Sequence, residues 1–325
     1  MGFEQILGQD RAKTILQSAI ASDKVAHAYL FAGPSGSGRK EMALAFAQTL
    51  FCERDGNDAC GECLQCRKVL HGNHPDLHVI EPDGATVKIE QIRSLQRELG
   101  YRTAGDGYKV YIIESAETMT TQAANSLLKF LEEPPSPVVA ILLAPSAQAV
   151  LPTILSRSQL IPFVPGDREA LEAILVAEGA PPLLTRLAVN VAPGLAASRQ
   201  LLAENWFADI RNVVIQLGRE SPSRFTASLI RAQQQVFKTE LSEHVELLLQ
   251  LLALWYRDMI YEMTGRQKSM VFPDQGEWIA QAAYRRTIDS WVSVMEAALT
   301  AARRIKAHVP PQLALEQFIV NVREG

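Results

Sequence analysis

His27–Lys40 reads His-Ala-Tyr-Leu-Phe-Ala-Gly-Pro-Ser-Gly-Ser-Gly-Arg-Lys, and this stretch decides the fold. The apolar run His27 to Ala32 has the length and content of a buried strand. Gly33, Gly36 and Gly38 then form a turn whose backbone can wrap an anion. Lys40 to Phe51 follows, with Met42, Ala43, Phe46, Ala47 and Leu50 at helical spacing. Strand, glycine-rich turn and helix N-terminus in that order make a phosphate cradle, because amide N–H groups and the helix dipole converge on negative charge.

Working outward, the same alternation repeats. Leu77 to Ile80 is a second strand, followed by a helix with Ile89, Ile92, Leu95 and Leu99 on one face. Val110 to Ile113 is a third, leading to a helix over Thr121 to Glu133 that Pro134-Pro135 stops. Val138 to Leu143 and Gln159 to Phe163 give the fourth and fifth strands. The pattern predicts an α/β fold, a P-loop parallel sheet covered by helices on both faces. Beyond Phe163 the strand signal fades. The expected plan is an α/β core over 1–166 with a cysteine module at 52–66, a small helical unit over 167–207 and an all-α C-terminal domain over 208–325. The last includes long helices such as Ser242 to Glu262 and Thr287 to Ala307, with Leu247, Leu251, Leu254 and Met259 as core positions.

The phosphate turn departs from a working one in two places. Arg39 stands where the phosphate-binding lysine is expected, and Lys40 where a hydroxyl would hold Mg²⁺. An ammonium cannot ligate Mg²⁺, whereas Arg39 can still pair with phosphate. The third strand ends Val110-Tyr-Ile-Ile-Glu114-Ser115-Ala-Glu117. Glu114 can mimic the metal-binding acid, but Ser115 replaces the carboxylate that would activate water, and a serine is no base at neutral pH. Gly33, Gly36, Gly38, Arg39, Lys40 and Glu114 therefore outline a degenerate nucleotide site. It is expected to bind ATP and Mg²⁺ weakly or not at all, and not to hydrolyse.

All four cysteines fall within Cys52-x7-Cys60-x2-Cys63-x2-Cys66. Such clustering points to a metal in a reducing compartment, and four thiolates suit tetrahedral Zn²⁺. An all-thiolate set leaves no open position, so the zinc is expected to be structural, and His71, His74 and His78 to be surface or packing residues. The chain of 325 residues carries 47% hydrophobic and 21% charged residues and a net charge of −4. These are ordinary globular values, not those of a polycation that coats DNA. The N-terminal residues lack a basic start and apolar run, and no apolar stretch is long enough for a bilayer, so the expected location is cytoplasmic.

Ser156-Arg157 lies between the fourth and fifth strands, where an arginine could point out of the domain toward a neighbour's γ-phosphate. Alone, an arginine there is usually just a solvated surface residue.

Taken together, Leu7-Gly8-Gln9, the HAYLF strand with its GPSGSG turn, the cysteine spacing, His74-Pro75-Asp76, Asn125-Ser-Leu-Leu-Lys-Phe-Leu-Glu-Glu-Pro-Pro135 and Leu155-Ser156-Arg157 resemble the bacterial clamp-loader AAA+ family. The resemblance is clear over about 1–165 and mainly architectural afterwards. It implies an AAA+ core, a helical lid and a helical collar that joins subunits. It also implies gamma/tau and delta subunits of DNA polymerase III as partners, with the sliding clamp and primed DNA reached through the complex. Members of the family that hydrolyse ATP carry an intact loop and a full acidic pair. This sequence departs at Arg39, Lys40, Glu114 and Ser115, and has Ser158 where a cysteine is usual. From Gly194, the expected sensor arginine falls on Ala197, with Arg199 two residues late, and only Ser146 is polar near the fourth-strand sensor. The resemblance thus implies a non-hydrolysing member, without the added C-terminal tail of a tau-like motor, whose Arg157 with Ser156 completes a neighbour's site. An ATP-hydrolysing gamma/tau-type motor is one alternative. A zinc-dependent DNA-binding protein on a P-loop scaffold is another, but Arg67, Lys68, Arg93 and Arg97 are interspersed with acids, as on a solvated face.

Overall fold

The computed structural model describes residues 2–54, 56–100, 107–132 and 137–324. The side chain of Leu99, the residue Glu133 and the Pro134-Pro135 stop lie outside the described residues. The chain separates into two compact units, Met1–Asp167 and Arg168–Gly325.

The first unit is built on strands β1 (Ala28–Ala32), β2 (Leu77–Ile80), β3 (Lys109–Ile113), β4 (Val138–Ala144) and β5 (Gln159–Pro162), in the order β2-β3-β4-β1-β5. Every pairing is parallel, with Leu30 opposite Leu142 on one side and Leu160 on the other. Strand side chains alternate between faces, and the alternation divides the unit into two cores. Leu30, Tyr111, Ile113 and Leu142 face helices α4 (Ile89–Gly100) and α5 (Thr121–Glu132), meeting Ile92, Leu95, Leu127 and Phe130. Tyr29, Phe31, Ile112 and Ile141 face α1 (Asp10–Ala21) and α2 (Arg39–Leu50), meeting Leu16, Met42 and Phe46. Strands buried on both sides need the near-continuous apolar runs seen in the sequence. The short helices α3 (Leu64–Leu70) and α6 (Pro152–Leu155) complete the unit.

The second unit is helical: α7 (Arg168–Ala177), α8 (Pro182–Val191), α9 (Gly194–Ala203), α10 (Trp206–Glu220), α11 (Phe225–Arg231), α12 (Val245–Met263), α13 (Gly276–Ala283), α14 (Ile288–Lys306) and α15 (Pro311–Glu324). Leu171, Leu175 and Val189 form a small core of their own. A much larger one centres on α12, where Leu248, Leu251, Leu252, Trp255, Tyr256 and Met259 are buried against α10, α14 and α15. Leu247 and Leu254 pack on its edge. α12 begins at Val245 rather than Ser242 because Thr239 caps a preceding 3₁₀ turn over Glu240–His244, accepting from Leu241 N at 3.3 Å. No helix among the described residues is long and apolar enough to cross a membrane.

Candidate functional site

β1 runs straight into the phosphate turn. Gly33 donates its N–H to Ala144 O at 3.1 Å, and a Cβ at this position would stand 2.5 Å from Phe163 O. Only glycine fits between the ends of β1 and β5. Gly36 and Gly38 have φ of 72° and 85°, the left-handed region that glycine enters freely. Gly38 precedes the first helical residue, so α2 starts at Arg39 and not at Lys40. Gln9 braces the turn from outside. It is buried, and its Nε2 donates to Ser37 O (3.0 Å) and Val164 O (2.7 Å) while its Oε1 accepts from Val164 N (3.1 Å).

The acids come from neighbouring strand ends. Ile80 lies opposite Ile113 in the parallel register, so Glu81 and Glu114 leave the sheet side by side. Lys40 reaches both: its Nζ is 2.5 Å from Glu114 Oε1 and 3.0 Å from Glu81 Oε1. Burial pulls the Lys40 pKa down, but hydrogen bonds and charge from Glu114 and Glu81 outweigh it, and the net shift is upward. Glu81 is correspondingly held below its usual range, first by the Lys40 hydrogen bond and then by its charge. Ser115 adopts the left-handed conformation (φ 50°), and its carbonyl accepts from Thr118 N and Oγ1 at 2.8 Å each. No carboxylate occupies the position next to Glu114. Arg39 is half-buried. Desolvation lowers its pKa against the opposing charges of Glu117, Glu114 and Glu41.

The four cysteine sulfurs lie within 4.8 Å of one another. A thiolate tetrahedron around a cation at about 2.3 Å has edges of about 3.8 Å, and Cys60 Sγ and Cys66 Sγ are 3.9 Å apart. The donor set fits a four-coordinate soft metal ion. Local folding follows from the knuckle: Cys63 caps α3, its sulfur accepting from Cys66 N at 3.4 Å, and Cys60 Sγ accepts from Cys63 N at 3.4 Å. Backbone N–H groups of Cys63 and Glu62 hold the Cys60 thiol down to about 6, while burial and the neighbouring thiols push Cys66 up. Among the described residues, no histidine joins this group. His74 is buried, stacked 3.8 Å from Phe51, with Nδ1 accepting from Asp76 N at 3.2 Å. It is a packing residue. Within the module, Asp58 accepts from Phe3 N (2.8 Å) and Glu4 N (3.3 Å), which fastens the first residues of the chain.

Arg157 sits just past α6 and is half-exposed. Its Nη2 is 2.6 Å and its Nε 2.9 Å from Glu132 Oε1, and its Nη1 donates to Thr153 O at 3.2 Å. In the second unit Arg199 is paired with Glu178, Nη2 to Oε1 at 2.5 Å, and Ala197 offers no polar group. The sequence alone assigns no site role to Glu81, Glu132 or Asp58. A signal existed for Glu81, since Ile80-Glu81 and Ile113-Glu114 are each an apolar strand ending in an acid.

Residues 8–167 match the family model described as DNA polymerase III, delta subunit. DNA polymerase III subunit delta' of Bacillus subtilis is 35% identical over 320 residues, 98% of this chain and 97% of that protein. The corresponding subunit of Pseudomonas aeruginosa is 41% identical over 152 residues, 45% of this chain and 46% of that one. DNA polymerase III subunit tau of Bacillus subtilis is 37% identical over 163 residues, half of this chain but 29% of that protein. In fold, the chain is similar to a gamma subunit-related protein of Thermotoga maritima, with a TM-score of 0.51 and 20% identity over 97% of this chain and 98% of that one.

Proposed function

The chain belongs to the family of DNA polymerase III delta' subunits, and from that membership we propose that it serves in the clamp loader as a subunit that does not hydrolyse ATP and instead lends Arg157 to a neighbouring ATPase subunit. The observation that carries this reading is Lys40. Its ammonium lies against Glu114 and Glu81 where a hydrolysing subunit needs a free carboxylate for Mg²⁺. Lysine and acids satisfy each other, and Ser115 leaves attacking water without a base. The local charge that would organise a triphosphate is spent inside the protein.

Arg157, with Ser156 beside it, follows α6 and keeps a partly solvent-facing guanidinium. A rigid fork of N–H donors on a half-exposed arginine suits a phosphate presented by another subunit. On this reading the partners are gamma/tau and delta subunits, and the sliding clamp and primed DNA are reached through the assembly in the cytoplasm. Residues 167–207, with the small core of Leu171, Leu175 and Val189, act as a lid. Residues 208–325 act as the collar. Cys52, Cys60, Cys63 and Cys66 hold a structural Zn²⁺, which fixes the loop carrying Asp58 and takes no part in phosphate chemistry.

The similarity to tau covers the half that both kinds of subunit share, so the residues at the phosphate turn, and not overall identity, separate them. The purified chain with Mg²⁺-ATP is expected to show no turnover above background. Sustained turnover that falls on Glu114→Ala would establish a motor instead. Tight binding of the isolated chain to primed DNA at physiological salt would favour a DNA-binding role.

A further inference from the structure

We propose that Glu132 is the positioning residue for Arg157, holding the guanidinium ready for a phosphate on the neighbouring subunit; this deepens the reading of Arg157 as a residue acting in trans. The carboxylate comes from a different element, the last residue of α5, and reaches across to the arginine that follows α6. One oxygen, Glu132 Oε1, takes both Nε (2.9 Å) and Nη2 (2.6 Å). Nη1 is tied separately to Thr153 O (3.2 Å) and Ser156 Oγ (3.3 Å). Arginine carries large rotamer freedom, and a side chain that must meet a phosphate on another molecule forfeits affinity if that freedom is lost only on contact. Here the chain's own groups grip it on two sides before any partner arrives.

The grip is also incomplete in the right way. The Arg157 side chain stays 38% exposed and that of Glu132 51%. A pair this open is weak in water, so Glu132 can share the guanidinium with an incoming phosphate without competing it away. A buried carboxylate would neutralise the arginine, and an arginine with no acid beside it would sample many directions. Ser156 gains a role by the same geometry, as a hydroxyl that steadies Nη1.

The test is a double-mutant cycle on ATP hydrolysis by the complex reconstituted with gamma/tau and delta subunits. Glu132→Ala is expected to lower kcat by about two- to five-fold, the range open to a solvent-exposed ion pair, with KM for ATP unchanged. Glu132→Gln, which keeps an acceptor oxygen, should recover part of the loss. In an Arg157→Ala background, Glu132→Ala should change nothing further. Equal losses in both backgrounds would assign Glu132 a purely structural role and overturn the proposal. Arg157→Ala lowering the rate while Glu132→Ala leaves it intact would also overturn it, with the trans role of Arg157 still standing. No effect of Arg157→Ala would remove both. The melting temperature of each variant, expected to match the parent's, separates misfolding from misalignment.

Discussion

Lys40 Nζ stands 2.5 Å from Glu114 Oε1, joining the first turn of α2 to the end of β3. In a hydrolysing P-loop those two places meet through a metal ion. Here they meet directly. A cation still faces the acid, but it is an ammonium in the place where an Mg²⁺ ion would coordinate, and this contact is what supports the proposed non-hydrolysing role.

That pair predicts a gain of function. Lys40→Thr frees Glu114 and Glu81 and restores a hydroxyl, so nucleotide binding by the isolated chain should become Mg²⁺-dependent. Titration calorimetry with ADP should show about a tenfold or greater difference between Mg²⁺ and EDTA in the variant, worth about 1.4 kcal/mol, and little in the parent. Equal Mg²⁺ dependence in both would show that Lys40 does not occupy the ion's place.

The cysteine module predicts one zinc per chain by elemental analysis. Cys60→Ser should lose it and destabilise the α/β unit by a few kcal/mol, well short of the about 10–16 kcal/mol in zinc-finger peptides, because the sheet core folds around its own apolar faces. Amide exchange at Phe3 and Glu4, which Asp58 holds, should rise with it. A metal-free chain with parent stability would refute the assignment.

Gly33 predicts a steric failure. Gly33→Ala drives a methyl to 2.5 Å from Phe163 O, a backbone atom that cannot swing aside. A loss of about 1–3 kcal/mol is expected, read as a drop in the unfolding midpoint of the first unit, and an unchanged midpoint would contradict it.

Asp258 predicts a pH dependence in the helical unit. It is buried, and Oδ2 accepts from Val271 N and Phe272 N at 2.8 Å each. Desolvation pushes its carboxyl up to about 7, against those two N–H groups and the charges of Arg257 and Arg186. A carboxyl whose pKa is higher folded than unfolded holds an extra proton in the native state. Its contribution to stability is therefore full below about pH 4 and lost as pH rises to about 7. Asp258→Asn keeps an acceptor and should flatten that slope. Asp258→Ala orphans two N–H groups and should cost about 2–5 kcal/mol at about pH 4, a cost that shrinks toward about pH 7 because the parent loses stability there and the variant does not.

The central strands β1, β3 and β4 are legible because they are buried on both faces and therefore written as near-unbroken apolar runs, whereas the edge strands β2 and β5 are partly exposed and carry a weaker signal. The phosphate turn was legible because Gly36 and Gly38 occupy left-handed positions that other residues resist. Ion pairs were not. Lys40 and Glu81 are 41 residues apart, and only the strand order brings Glu81 beside Glu114. Glu132 and Arg157 meet because α5 and α6 end at one edge, a relation that no local spacing carries. The break before α12 was missed for a different reason: Ser242 falls inside an apolar helical pattern, and the Thr239 cap wins over that periodicity.

On the proposed reading, Arg157 acts in the ATP site of a neighbouring subunit. The most direct measurement is clamp- and primer-stimulated ATP hydrolysis by the reconstituted complex carrying Arg157→Ala. A fall in kcat of at least about tenfold is expected, a floor well beneath the roughly 10³–10⁵ that arginines acting in trans supply, with assembly and this subunit's fold intact. A complex that assembles and hydrolyses ATP at the parent rate would contradict it.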